Sequence, residues 1–200
     1  ISGDEEAEFI YEAVKASGSI QNTCLIVDIG GGSVEFILCD FDQIYWKKSY
    51  DIGAARLMQQ FFKSDPLSKI DETNLISYLK NELQELESIC KQYPPVCLIG
   101  SAGAFETFAE VIAIKNNTPI QLNEMNNCSI ELSDYREMAK TLIASTHQER
   151  AKMPGIIALR VDMIVMAVVL TNYILEVTRI QKIKLSTFDL KMGVLARLAV

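Results

Sequence analysis

The chain has 200 residues, of which 49% are hydrophobic and 22% are charged, and its formal net charge is −7. This composition supports a buried core and argues against disorder. The negative charge disfavours binding to DNA, whose phosphates attract basic proteins. The richest apolar run, 156–175, is interrupted by Arg160 and Asp162, so we expect no membrane span.

The periodicity of apolar residues predicts a mixed α/β chain. An amphipathic helix follows the acidic residues Asp4, Glu5 and Glu6. Three strands with short connections come next, which predicts an antiparallel meander. The predicted elements after the first helix are strands at 24–29, 34–40 and 43–50, helices at 53–62 and 71–90, a strand at 96–99, a helix at 104–114, a polar loop at 115–127, helices at 133–146 and 156–177, a strand at 183–185 and a helix at 188–200.

The segment VDIGGGSVE at 27–35 contains the first candidate site. Its three glycines form a turn between two predicted strands, and they allow positive φ and close approach of backbone N–H groups to a ligand. Such a turn can direct several donors at one anion. Asp28, Ser33 and Glu35 add oxygen ligands of the kind that Mg²⁺ takes together with phosphate. The alternative is an ordinary glycine-rich hairpin with a capping Asp.

A second loop of small residues, 100–103, also follows a predicted strand. Open α/β sheets place ligand sites at this end of their strands. We therefore expect the two glycine loops to face each other and to hold opposite ends of a phosphorylated ligand.

Six stretches of the chain resemble the exopolyphosphatase and guanosine pentaphosphate phosphohydrolase family, which lies within the actin, Hsp70 and sugar-kinase superfamily. They occur in the family's order and together span nearly the whole chain. The stretches are ISGDEEAEFIYEAV at 1–14, DIGGGSVE at 28–35, DIGAARL at 51–57, LIGSAGAFET at 98–107, RAKMPGIIALRVDMI at 150–164 and LSTFDLKMGVL at 185–195.

This resemblance implies a single ribonuclease H-like (actin-like ATPase) domain over 1–200, the second domain of a two-domain phosphohydrolase. Its mixed five-stranded sheet would be flanked by helices, with a helical insertion at about 104–178 before the last strand. A site divided between two domains would leave this chain alone with little activity. The family resemblance also implies a homodimer.

The activity implied by the resemblance is removal of the terminal phosphate from inorganic polyphosphate, with guanosine pentaphosphate as the alternative substrate. Glu6 would orient the attacking water with help from Glu35, and Asp28 and Glu35 would hold Mg²⁺. An alternative role for the acids near Glu6 is to stabilise a helix N-terminus. The implied phosphate-binding residues are Gly30, Gly31, Gly32, Ser33, Ser101, Gly103 and Arg160.

Other interpretations remain open at this point. The chain could be a phosphate or nucleotide sensor without turnover, or a kinase of the same superfamily. Arg150 and Lys152 could bind outlying phosphates or be surface charges. His147 is predicted to be a solvated residue at a helix end, although histidine can also shuttle protons.

The cysteines and the first residue predict the cellular setting. Five cysteines occur without CxxC spacing, so we expect free thiols in a reducing cytoplasm. The sequence starts at Ile1 without a signal-peptide pattern, and we expect a segment of a longer cytoplasmic protein.

Overall fold

The structure is a computed structural model that describes residues 3–101 and 103–198. In these residues, helices flank the strands of one sheet. Two short 3₁₀ turns, at Leu122–Glu124 and Ala158–Arg160, interrupt the longer connections. The elements in chain order are α1 (Gly3–Ala16), β1 (Cys24–Ile29), β2 (Val34–Cys39), β3 (Ile44–Tyr50), α2 (Ala54–Phe61), α3 (Lys69–Glu82), α4 (Gln84–Gln92), β4 (Cys97–Ser101), α5 (Gly103–Lys115), β5 (Asn127–Ile130), α6 (Leu132–Ala144), α7 (His147–Arg150), α8 (Met163–Thr178), β6 (Ile183–Ser186) and α9 (Leu190–Leu198).

The sheet has the strand order β3-β2-β1-β4-β6-β5. The strands β1, β4 and β6 are parallel to one another, whereas β2, β3 and β5 run antiparallel to their neighbours. The predicted mixed sheet and the antiparallel meander are confirmed. Because the parallel strands end at the same edge, the loops that follow β1 and β4 come together there.

The predicted number of five strands is wrong, since β5 adds a sixth at the edge of the sheet. This strand begins at Asn127, at the end of the polar segment that was predicted to be a loop. Its residues, Asn127 to Ile130, alternate polar and apolar side chains, but over only four positions that follow an asparagine-rich stretch. Only Ile130 is buried, and pairing with β6 holds the strand at the edge of the sheet.

The two faces of the sheet are covered by different helices. Alternate residues of a strand point to opposite faces, and Cys24 and Ile26 of β1 accordingly pack in the smaller apolar cluster under α1. Leu25 and Val27 pack in the larger cluster. That cluster surrounds α8, which is apolar on nearly every side, as is typical of a helix inside a protein.

Two predicted helices have different boundaries in the structure. The helix predicted at 71–90 is divided between α3 and α4 at Leu83, whose φ of −100° and ψ of 20° interrupt the helix. Leu79, Leu83 and Leu86 are all buried across this joint, which explains their continuous helical spacing. The helix predicted from Ile156 begins at Met163, after a 3₁₀ turn.

In the described part of the chain, none of the helices is both long enough and apolar enough to cross a lipid bilayer.

Helix α9 packs closely on α1, which bears the candidate residue Glu6. A Cβ atom on Gly193 of α9 would lie 1.8 Å from the carbonyl oxygen of Phe9. The contact therefore requires glycine at this position, because the obstacle is backbone of another helix.

We predict that Gly193→Ala lowers the free energy of unfolding by about 1–3 kcal/mol, the usual cost of overpacking. Urea unfolding measures the change. The matched control is Gly31→Ala, because a Cβ on Gly31 would make an ordinary contact of 3.8 Å with the Cβ of Ala55. Equal stability of the two variants would contradict the proposed close packing of α9 on α1.

Candidate phosphate and metal site

The glycine turn joins β1 to β2 at the carboxyl end of β1. The N–H of Gly30 donates to the carbonyl oxygen of Ser33 over 3.0 Å and closes the turn. None of the three glycines adopts the positive φ that the sequence suggested. Gly31 and Gly32 are exposed, and a Cβ on either would have no close neighbour. The glycines therefore leave the backbone open to solvent.

Helix α2 binds the carbonyl side of this turn. The N–H groups of Gly53, Ala54 and Ala55 donate to the carbonyl oxygens of Gly32, Gly30 and Gly31 over 3.1, 2.9 and 3.0 Å, respectively. A Cβ on Gly53 would lie 2.5 Å from the backbone of Gly31 and Gly32, so only glycine permits this approach.

The N–H groups of the turn, unlike its carbonyl groups, are not bound by α2. Within the described residues, the amides of Gly31, Gly32 and Ser33 have no protein acceptor. Donors of this kind, aligned in one turn, can bind an anion. The three amides are therefore available as donors, as the predicted anion site requires.

A group of acidic side chains lies beside the turn. Asp28 and Glu35 are paired across β1 and β2. The pKa of Asp28 is raised from 3.8 to about 7, chiefly by burial; the charges of Glu35, Glu6 and Asp189 contribute to the rise, and a hydrogen bond from Ser101 opposes it. Burial also raises the pKa of Glu35. The structure thus brings Glu6 within electrostatic reach of both carboxylates.

Two serines hold these carboxylates in place. Ser101, at the end of β4, donates its hydroxyl to Oδ2 of Asp28 over 3.0 Å. Ser49 on β3 donates to Oε1 of Glu35 over 2.7 Å. Ser101 is fully buried, so in this structure it positions Asp28 and does not face solvent as an anion ligand.

The second glycine loop meets the first. Gly103, at the start of α5, has a φ of +51°, and a Cβ there would lie 3.6 Å from the carbonyl oxygen of Ile29. Both loops line a cavity of about 400 Å³. Arg160 forms part of its wall. Its guanidinium donates to Oγ1 of Thr107 over 2.9 Å and lies 3.7 Å from Oε2 of Glu106.

Asp189 was missed by sequence reasoning. Its Oδ1 accepts hydrogen bonds from the N–H groups of Lys191 and Met192 over 3.0 and 3.3 Å, and it caps the start of α9. Its charge raises the pKa values of Asp28 and Glu106. Asp189 lies in the first turn of the helix predicted at 188–200, where an Asp is a recognisable sign of a helix start, but that sign does not reveal its proximity to the glycine turn.

Arg150 and His147 belong to a different cluster. The guanidinium of Arg150 is fully buried and lies 3.0 Å from both Oδ1 of Asp65 and Oδ1 of Asp162. The suggestion that Arg150 binds outlying phosphates is therefore wrong. His147 is half-exposed, and its Nδ1 lies 2.8 Å from Oδ1 of Asp162.

The acidic side chains fit one mode of Mg²⁺ binding. Among the described residues, no group of three or more His, Cys, Asp or Glu side chains is arranged to enclose a metal ion. Mg²⁺, however, commonly binds through one or two carboxylates together with water and substrate phosphate. Asp28 and Glu35 offer such hard oxygen donors beside the anion site, so they fit an ion shared with phosphate.

The fold and the site together define the class of protein. A crystal structure of an exopolyphosphatase from Cytophaga hutchinsonii matches the chain with a TM-score of 0.95 and 36% sequence identity. The match covers 99% of this chain and 64% of that one. The chain therefore has the actin-like ATPase fold of these phosphatases.

A model of the Ppx/GppA phosphatase family matches residues 1–199. The chain belongs to this family.

Two curated relatives are named for different activities. The bifunctional 3-dehydroquinate synthase/phosphatase of Fusobacterium nucleatum is 30% identical over 184 residues, covering 88% of this chain and 26% of the relative. The guanosine-5'-triphosphate,3'-diphosphate pyrophosphatase of Pseudoalteromonas translucida is 27% identical over 196 residues. This match covers 98% of this chain and 37% of the relative. The chain thus spans between about a quarter and two fifths of the length of these relatives.

The raised pKa of Asp28 predicts that stability depends on pH. Between about pH 4 and pH 7 the folded chain retains a proton on Asp28 that the unfolded chain has lost, so stability falls as pH rises through this window. Asp28→Asn stays neutral. In a chelating buffer at pH 8 we expect this variant to exceed the original chain in stability by on the order of 2 kcal/mol.

Urea unfolding at pH 8, 6 and 4 checks this prediction, and the advantage of Asp28→Asn should shrink towards pH 4. The matched control is the same substitution at an exposed position away from the site, Asp42→Asn. A difference that stays constant over the whole range would show that the carboxyl of Asp28 ionises normally.

Proposed function

We propose that this chain is the second domain of an exopolyphosphatase that removes the terminal phosphate from inorganic polyphosphate. The observation that supports this most directly is the exposed glycine turn, whose amides of Gly31, Gly32 and Ser33 have no protein acceptor in the described part of the chain. The carboxylates of Asp28 and Glu35 lie beside it. Family membership supports a phosphatase.

In the proposed mechanism the turn holds the terminal phosphoryl group. The amides of Gly31 and Gly32, the amide and hydroxyl of Ser33 and the guanidinium of Arg160 bind its oxygens. Hydrolysis of a phosphoanhydride needs an oriented water and compensation of negative charge, with little covalent chemistry from the protein. Glu6 orients the water and accepts its proton as the oxygen attacks phosphorus. The bond to the bridging oxygen breaks, and the shortened polyphosphate leaves with the electron pair.

Asp28 and Glu35 are the proposed Mg²⁺ ligands. When bound, the ion supplies positive charge that compensates the phosphate oxygens. Asp28 is held by Ser101 and Glu35 by Ser49, so both carboxylates are oriented before any ligand arrives. Burial is the main cause of the raised pKa values of these two groups, and negative neighbours, Glu6 among them, add to it.

We also propose a preceding first domain that completes the site. The chain spans only part of the length of its relatives. Leu159, in the wall of the cavity, is 75% exposed, and Ile157 beside it is 52% exposed. A facing domain would cover these apolar side chains.

The proposal also includes a homodimer and a cytoplasmic location. The free cysteines agree with a reducing compartment such as the cytoplasm.

Guanosine pentaphosphate is the second candidate substrate. The cavity beside the turn has mainly apolar walls, including Ala54, Met163 and Ile164, and polyphosphate has no apolar part to fill it. The relative from Pseudoalteromonas translucida is named for such a guanosine nucleotide. Turnover of both substrates, measured side by side with the full-length protein, distinguishes the two.

The role of Glu6 leads to a mutational prediction. Glu6→Gln should lower kcat for phosphate release by about 10²–10⁴-fold, since it removes the proposed general base. Binding of polyphosphate should be retained. The control is Glu12→Gln in the same helix, which should leave the rate unchanged.

Phosphate release and equilibrium binding are measured in parallel. A Glu6→Gln variant that retains the full rate would rule out this residue as the base. Binding without any turnover in the unmodified protein would favour the sensor, and transfer to an acceptor other than water would favour the kinase.

The divided site gives a second prediction. The 200-residue chain alone should release phosphate at least about a hundredfold more slowly than the full-length protein, because residues that position the substrate are missing. A phosphate-release assay at equal molar concentrations measures the ratio, with circular dichroism as the check that the isolated chain is folded. Equal turnover by a folded chain would refute the divided site.

A further inference from the structure

Arg56 lies against the glycine turn, although no role has been assigned to it in the mechanism above. It belongs to the first turn of α2, and its backbone N–H donates to the carbonyl oxygen of Gly31 over 3.3 Å. A Cβ on Gly32 would lie 3.9 Å from Nε of Arg56. The side chain therefore runs alongside the exposed backbone of the turn.

The present partner of this guanidinium is easily replaced. Nη2 of Arg56 lies 3.3 Å from Oδ1 of Asp51, and the two side chains are 58% and 85% exposed. Exposed ion pairs contribute little to stability. A phosphate accepts two parallel hydrogen bonds from the planar guanidinium and carries more negative charge than a carboxylate. Exchange of Asp51 for phosphate would thus need only a change of side-chain rotamer.

The charges around the turn create a need for such a cation. Glu6, Asp28, Glu35 and Asp189 place negative charge there, and a polyanion approaching these groups meets repulsion. Arg160, the one cation assigned to phosphate above, also donates to Thr107 and lies near Glu106, whose charge offsets part of its own. Arg56, whose ion-pair partner in the described part of the chain is an exposed carboxylate, has its charge available at the turn.

We propose that Arg56 binds non-bridging oxygens of the polyphosphate chain at the glycine turn and releases Asp51 to do so. This inference rests on the proposed function, because it takes the turn as the phosphate site. Arg56 contributes to substrate binding and not to the bond-breaking step. Its loss therefore raises KM and leaves kcat nearly unchanged.

The first experiment measures steady-state hydrolysis of polyphosphate by the full-length protein. Arg56→Ala should raise KM by about 10- to 100-fold, the factor that corresponds to loss of a charged hydrogen bond, with kcat within about twofold. Arg56→Lys should give an intermediate KM, because lysine keeps the positive charge but lacks the planar guanidinium that donates two parallel hydrogen bonds. Asp51→Asn should leave KM equal or lower, because Arg56 loses its competing partner.

The matched control is Lys63→Ala. Lys63 is an exposed cation just beyond the other end of α2, where it donates to the carbonyl oxygen of Gln59. The substitution Lys63→Ala removes the same charge from the protein at a position that does not contact the glycine turn, so KM should not change. An equal rise in KM for Lys63→Ala and Arg56→Ala would overturn the proposal, since only the net charge would then matter.

A binding measurement separates this proposal from the proposed function. Calorimetric titration with inorganic tripolyphosphate should show a Kd that is about 10- to 100-fold weaker for Arg56→Ala than for the unmodified protein. This holds even if the protein turns out not to hydrolyse polyphosphate. Arg56→Gln is measured in parallel, and thermal unfolding shows which variants are folded. Unchanged affinity in a folded variant, or no tripolyphosphate binding by the unmodified protein, would overturn the role of Arg56.

Discussion

The docking of α2 on the carbonyl side of the glycine turn is the interaction on which the site depends. Three consecutive amides of the helix start satisfy three consecutive carbonyls of the turn, and the absence of a side chain on Gly53 makes this approach possible. With its acceptors engaged, the turn directs its donors outwards. An anion site on a fixed backbone is pre-organised, so little ordering is required when a phosphate binds.

The acidic residues beside the turn give the site its electrostatic character. Asp28 and Glu35 are kept at the turn by hydroxyl groups of neighbouring strands, although burial makes their ionisation unfavourable. Such perturbed carboxyl groups are concentrated at functional sites. Together with the exposed amides, they form a surface that is complementary to an anion and a cation at once, which is what a metal–phosphate pair presents.

The sequence predicted the features that depend on local residue patterns. The turn between β1 and β2, the meander and the meeting of the two glycine loops follow from strand periodicity and the common edge of parallel strands. The alternation in β5 covers only four residues beside an asparagine-rich stretch, and its partner β6 is distant in the chain, so the strand was missed. The burial of Arg150 and the position of Asp189 depend on contacts between distant segments, which one sequence does not reveal. The glycines do form the predicted turn, but they provide open space and not positive φ.

The buried Arg150 has a mechanical consequence for the cavity. It lies over the ring of Phe62, which ends α2, and binds both Asp162, which precedes α8, and the carbonyl oxygen of Val161. Helices α2 and α8 both line the cavity, through Ala54 and Met163. A single guanidinium therefore contacts the end of one of these helices and the start of the other. Separating this buried charge from its partners would cost about 3–5 kcal/mol, which disfavours movement of the end of α2 away from the start of α8.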